Sequence, residues 1–148
     1  MSGEQRIRSF NLAKQGLGRV LGSLEAEIMD ILWARKRETT IREVWERIRL
    51  TRPIAFNTVM TVMNRLVDKG LLERRSGPRA YWFRPAQTKE SFLEDISRQV
   101  AEELVQDFGE AVIAPFVEAL GKVNPDYLEA LRDFIERQEV ERDDVGEK

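Results

Sequence analysis

From Leu24 onward the apolar positions of the chain fall at helical spacing. Leu24, Ile28, Ile31 and Leu32 mark a first helix running to about Ala34, with Ser23 placed to cap it and Trp33 beside the stripe as a core residue. Thr40, followed three residues later by Glu43, has the form of a capping box. Ile41, Val44 and Ile48 then make the buried stripe of a second helix ending near Arg49. Pro53 keeps that helix from continuing. A third helix is predicted from about Ala55 to Lys69, closed by Gly70 as a C-terminal cap.

The third helix differs from the first two on its polar side. Val59, Val62, Met63 and Leu66 share one face, so Asn57, Met60, Thr61, Asn64 and Asp68 project to the other, with Arg65 at the flank. An ordinary solvated face is filled with Lys and Glu. This one presents compact hydrogen-bonding groups and a methionine, which fit base edges and thymine methyls in a major groove. Leu71 to Arg75 then reads as a strand, Ser76-Gly77-Pro78-Arg79 as a tight turn, and Ala80 to Arg84 as the returning strand. Alternation puts Tyr81 and Phe83 on one face of that strand and Trp82 on the other. Three helices followed by a hairpin predict a winged helix. Its wing carries Arg74, Arg75, Arg79 and Arg84, a density suited to phosphate or minor-groove contact.

Beyond Pro85 the pattern is wholly helical. Thr88 caps a predicted helix from Lys89 to about Phe108, in which Phe92, Ile96, Val100, Leu104 and Phe108 recur every four residues until Gly109 breaks it. Val112, Ile113, Phe116, Val117 and Leu120 mark a short fifth helix that Gly121 ends. Asn124-Pro125 opens a sixth, with Tyr127, Leu128, Leu131, Phe134 and Ile135 on its apolar side. Residues 87–148 are too few to build a good core alone, so these stripes are most economically buried against a second copy of the chain. Phe92, Ile96, Val100, Leu104, Phe108, Phe116, Leu128, Leu131 and Ile135 are the dimerisation candidates. A two-fold dimer would set two recognition helices about one DNA turn apart.

Charge sharpens this division. The net charge of −2 over 148 residues conceals 17 Lys and Arg against 9 Asp and Glu in residues 1–86, and 7 against 17 in residues 87–148. One half suits a polyanion and the other is repelled by it. Cysteine and histidine are both absent, which removes disulfides, thiolate nucleophiles, most zinc and copper sites and the usual general base of hydrolases. Glu102 with Glu103, and Asp143 with Asp144, sit in acidic polar surroundings, so they read as solvated faces rather than a glycosidase-like pair. Gly16, Gly18 and Gly22 lack the spacing and the preceding strand of a phosphate loop. Residues 1–20 read instead as a mobile basic arm, with Arg6, Arg8, Lys14 and Arg19 against Glu4 alone. No apolar run approaches a membrane span and no signal-type h-region opens the chain, so the expected location is the cytoplasm. No enzyme activity, metal or cofactor is expected.

Three runs resemble a known family: residues 21–33, LGSLEAEIMDILW; residues 57–72, NTVMTVMNRLVDKGLL; and residues 79–85, RAYWFRP. Together they are similar to the penicillinase repressors, the BlaI/MecI/CopY type, strongly over residues 21–86 and in length and pattern beyond. The resemblance implies a homodimeric winged-helix repressor of β-lactam-resistance or copper-homeostasis genes that binds a palindromic operator in double-stranded DNA. It places the recognition helix on Asn57, Thr58, Met60, Thr61, Asn64 and Arg65 and the wing on Arg74 to Arg79. Met60 stands where some relatives carry a basic residue, which implies a different preferred operator. The copper-responsive branch uses C-terminal cysteines that this chain lacks. In the β-lactam branch a sensor-linked protease cuts an Asn-Phe bond, and the matching position here is Pro115-Phe116. Proline fixes φ and removes an amide donor, so it fits poorly as an extended strand in a protease cleft.

The expectation is therefore a mainly α protein in three parts: an arm over 1–20, a winged helix-turn-helix DNA-binding domain over 21–86, and a helical dimerisation region over 87–148. The DNA-binding candidates are Thr40, Asn57, Thr58, Met60, Thr61, Asn64, Arg65, Arg74, Arg75 and Arg79. A sensor-linked protease is a further candidate partner. The competing reading, from another functional class, is a winged helix used for protein interaction in a larger assembly.

Overall fold

A computed structural model of the chain describes residues 10, 11 and 15–146, and the contacts divide it into two units, residues 1–100 and 101–148. Within the first unit, α1 (Ser23–Arg35), α2 (Ile41–Arg49) and α3 (Phe56–Asp68) are followed by an antiparallel hairpin of β1 (Leu72–Ser76) and β2 (Tyr81–Pro85). This is a mainly helical winged-helix architecture. Its core is formed by Ala26, Ile28, Met29 and Leu32 of α1, Val44 and Ile48 of α2, and Val59, Val62, Met63 and Leu66 of α3, covered by Leu71, Leu72 and Phe83 of the hairpin region.

The ends of the elements follow local chemistry. Thr40 caps α2 by accepting the Glu43 N–H at 3.2 Å. Only that half of the capping box forms, because the Glu43 carboxylate instead receives Arg35 and Arg37. Ser23 is not the cap of α1: the helix begins at Ser23 itself, with Gly22 before it and no side-chain cap. At the other end of α3, Gly70 takes φ of 80°, the Leu71 N–H donates to Leu66 O at 2.9 Å, and the Gly70 N–H donates to Val67 O at 3.0 Å. This is a Schellman closure. It turns Leu71 into the core beside Leu66, and β1 starts at the next residue.

The sequence pattern missed a third strand segment. Thr39 is fully buried and exchanges both backbone hydrogen bonds with Phe83, at 3.0 and 2.9 Å, so the loop before α2 is stitched to β2. The arm also differs from expectation. Gly16–Arg19 form a 3₁₀ turn, and Leu17 and Val20 pack against the core; the more N-terminal arm, residues 1–9 and 12–14, lies outside the described residues.

The predicted boundary near Ala86 also shifts. α4 (Lys89–Phe108) begins inside the first unit, where Phe92 and Ile96 are 1% and 8% exposed and Val100 packs partly against the same core. The Phe92 ring lies 5.4 Å from that of Trp33, whose indole N–H donates to Gln87 O, and Lys89 pairs with Asp30. Phe92 and Ile96 are therefore not dimerisation residues. Their apolar face is already covered by their own chain.

The second unit holds the end of α4, a 3₁₀ turn at Gly109–Val112, α5 (Ile113–Val123) and α6 (Asp126–Gly146). Gly109 breaks α4 with φ of 57°. Gly121 does not end α5 as expected: it lies within the helix, where a Cβ would come within 2.9 Å of the Leu128 side chain, so its bareness lets α6 approach. No residue of α5 or α6 is buried. Among the described residues no helix is long and apolar enough to cross a membrane.

Candidate nucleic-acid interface

Burial of the Val59, Val62, Met63 and Leu66 stripe fixes which side of α3 faces out. Asn57, Thr58, Thr61 and Arg65 are exposed, while Met60 and Asn64 are half-buried at the edge of that face. The Thr61 hydroxyl donates to Asn57 O at 2.9 Å, and the Asn64 amide donates to Met60 O at 3.1 Å. Both side chains thus hold one rotamer against their own helix without spending all their polar capacity. The end of α3 is tied down separately: Lys69 Nζ donates to both oxygens of the buried Glu25 carboxylate at 2.9 Å, joining α3 to the first turn of α1.

The wing arginines, alike in sequence, separate into three environments. Arg74 pairs across the hairpin with Phe83 and so lies on the core-side face. Its Nη1 donates to Asn64 Oδ1 at 2.6 Å and its guanidinium sits 4.7 Å from the Tyr81 ring centroid. Arg75, one residue on, belongs to the opposite face. There it grips Glu38 through Nε at 3.0 Å and Nη2 at 2.6 Å. Arg84 is paired with Glu73. Arg79 is exposed in the turn between the strands and has no ion-pair partner among the described residues. The turn itself closes by a 3.0 Å bond from the Gly77 N–H to Ala80 O, and a Cβ at Gly77 would meet the Trp82 indole at 2.8 Å. Glycine is required there for the indole to pack.

A model of the penicillinase repressor family matches residues 21–137. The chain belongs to the penicillinase repressor family. Two curated relatives, the transcriptional regulators BlaI from two strains of Mycobacterium tuberculosis, are each 33% identical over 110 residues, covering 73% of this chain and 79% of theirs. A solved structure, the complex of hsRosR-S1, aligns with a TM-score of 0.43 and 16% identity over 76% of this chain and 99% of that one. Penicillinase repressors are transcriptional repressors and not enzymes, so the chain is a DNA-binding regulator.

In this penicillinase repressor the structure brings Asn64, Arg74 and Tyr81 together and leaves Asn57, Thr58, Thr61 and Arg65 as an open face beside them. It sets Arg75 apart, and it uses Thr40 as a helix cap. Sequence reasoning missed Glu38 and Tyr81 as partners of arginines. Glu38 lies 37 residues from Arg75, a separation that no periodic pattern reports.

Hydrogen bonding from Arg75 holds the Glu38 carboxyl below its ordinary range, and Glu38 in turn raises Arg75. A depressed carboxylate pKa gives stability that is present above its unfolded value and is lost as pH falls through the lowered folded value, so the pair stays closed at neutral pH. A DNA phosphate approaching Arg75 would have to compete with Glu38 for it. Glu38→Gln should therefore tighten DNA binding, by at most about fivefold since both groups are solvent-exposed, and should steepen the log-log salt slope by roughly 1 per protomer. Titrations at several salt concentrations check both; weaker binding would mean that Glu38 helps to present Arg75.

Proposed function

We propose that this repressor acts as a homodimer on a palindromic operator, with α3 in the major groove and the hairpin turn against the neighbouring backbone or minor groove. The observation that carries this reading is the open polar face of α3, joined through Asn64 to Arg74 and continued by Arg79 of the turn, which has no ion-pair partner among the described residues. Thr58, Thr61 and Asn57 read base edges, and Arg65 and Arg79 neutralise phosphates. Repression follows from occupancy of a promoter in the cytoplasm.

The dimer is held by the apolar side chains of α4 beyond Val100 together with α5 and α6. Leu104, Phe108, Phe116, Leu128 and Ile135 are exposed, Phe108 and Phe116 by more than half, and Leu131 is half-buried; an isolated monomer would leave much of this apolar surface in water. The regulated genes belong to a β-lactam or related response, in keeping with the family and the BlaI relatives.

Selection of bound duplexes from genomic fragments, followed by salt titration, tests the reading. Enrichment of an inverted repeat is expected, its half-sites about 10 base pairs apart or a multiple of that. Arg79→Ala should lower the salt slope by roughly 1 per protomer, or 2 per dimer, without changing base preference. Binding to single half-sites as tightly as to the repeat would contradict the dimer.

Release does not proceed by the cut used in the β-lactam branch. Pro115 and Phe116 lie in the first turns of α5, so a protease must unwind the helix to reach a bond that proline already disfavours. Intact-mass analysis of the protein from its host, before and after β-lactam exposure, should show no cleavage between Pro115 and Phe116; a clean cut there refutes this.

A further inference from the structure

We infer that Asn64 serves DNA binding as a positioning residue, holding Arg74 at the junction of α3 and the wing so that the guanidinium grips a backbone phosphate, rather than by reading a base itself. The inference rests on the docking of α3 proposed above and deepens it.

The amide of Asn64 is engaged at both ends. Its NH₂ donates to Met60 O at 3.1 Å and its oxygen accepts from Arg74 at 2.6 Å. Bidentate recognition of adenine needs the same donor and the same acceptor turned together toward one base edge. Each end keeps a second N–H or lone pair, but turning the amide to a base edge would take it out of the orientation that Met60 O and Arg74 fix. Thr61 and Asn57, by contrast, are exposed: the Thr61 hydroxyl donates to the Asn57 backbone carbonyl and keeps its acceptor capacity, and the Asn57 side chain has no hydrogen-bond partner among the described residues.

Arg74 shows the complementary arrangement. One of its five N–H donors goes to Asn64, its planar group lies over the Tyr81 ring, and the remaining donors have no partner among the described residues. Tyr81 is half-exposed, so the guanidinium is at the surface while held between an amide and a ring. An arginine fixed in this way loses little side-chain freedom on meeting a phosphate, and its fork matches phosphate geometry. Its position, linked at once to α3 and to β1, is where the duplex backbone passes between a helix in one groove and a hairpin tip in the next.

The test compares Asn64→Ala, Asn64→Thr, Arg74→Ala and the Asn64→Ala/Arg74→Ala pair in the full chain, titrated against the selected operator and single-base variants of it. Arg74→Ala should weaken every duplex about tenfold and lower the salt slope by roughly 1 per protomer. Asn64→Ala should weaken every duplex evenly, by about threefold, with no change in base preference, and should add nothing once Arg74 is absent. Asn64→Thr keeps a hydroxyl that can donate to Met60 O and accept from Arg74, so it should retain most of the affinity and the full preference. Loss of discrimination at a particular base pair in Asn64→Ala, persisting in the double variant or in Asn64→Thr, overturns the inference and makes Asn64 a reading residue. Failure of the wild-type chain to prefer any duplex would instead sink the docking reading itself.

Discussion

Ending the chain after Val100 should leave a folded winged helix that binds its operator roughly 10²–10⁴-fold more weakly than the full protein, because a tethered second half-site contact becomes an independent one. The first unit carries its own core, including Phe92 and Ile96. A cut after Ala86, where the charge pattern changes, should behave differently. It removes Phe92 and Ile96 and uncovers Trp33, so that fragment should be largely unfolded. Sedimentation and circular dichroism on the two fragments separate the cases. A dimeric fragment ending at Val100 would place the dimer contacts in the winged helix.

Phe92→Ala should cost about 3–5 kcal/mol of folding stability, the range for truncating a fully buried phenylalanine. The ring is 1% exposed and stacks in a tilted arrangement on Trp33, so its loss leaves a cavity between α1 and the start of α4. Phe116→Ala is the paired control. That ring is 55% exposed, so the change should barely move monomer stability and should act on the monomer–dimer equilibrium. Urea unfolding together with concentration-dependent sedimentation reads both quantities. Phe92→Ala that weakened association while leaving the winged helix as stable as before would restore Phe92 to the dimer face.

That contrast shows where the sequence was legible. The Thr40 cap and the apolar period located α2, the period placed Val59, Val62, Met63 and Leu66 on the buried face of α3, and glycine marked its end at Gly70, because a helix face and a left-handed cap are both local requirements. The five-member stripe from Phe92 to Phe108 is equally regular, yet its first two members meet their own chain's core and its last two are exposed. Period reveals that a face is apolar and is silent about what covers it. Thr39 eluded the reading for a related reason, since one residue bridged to Phe83 has no alternation to display. The arginines of the wing were recognised as a group, but partners at Glu38, Asn64 and Tyr81 are set by the pairing of the hairpin and the packing of α3 beneath it.

The separation of the two faces of α3 bears on how such a regulator diverges. Asn57, Thr58, Thr61 and Arg65 are exposed and support no core contact, so exchanging them should shift stability by only about 0.5 kcal/mol or less, whereas the face behind them tolerates little change. With that face reading the operator as proposed, duplicated copies of the gene could accumulate new residues on it while folding undisturbed, and so acquire new operators by drift. A regulator built this way can be retargeted before it needs to be restabilised.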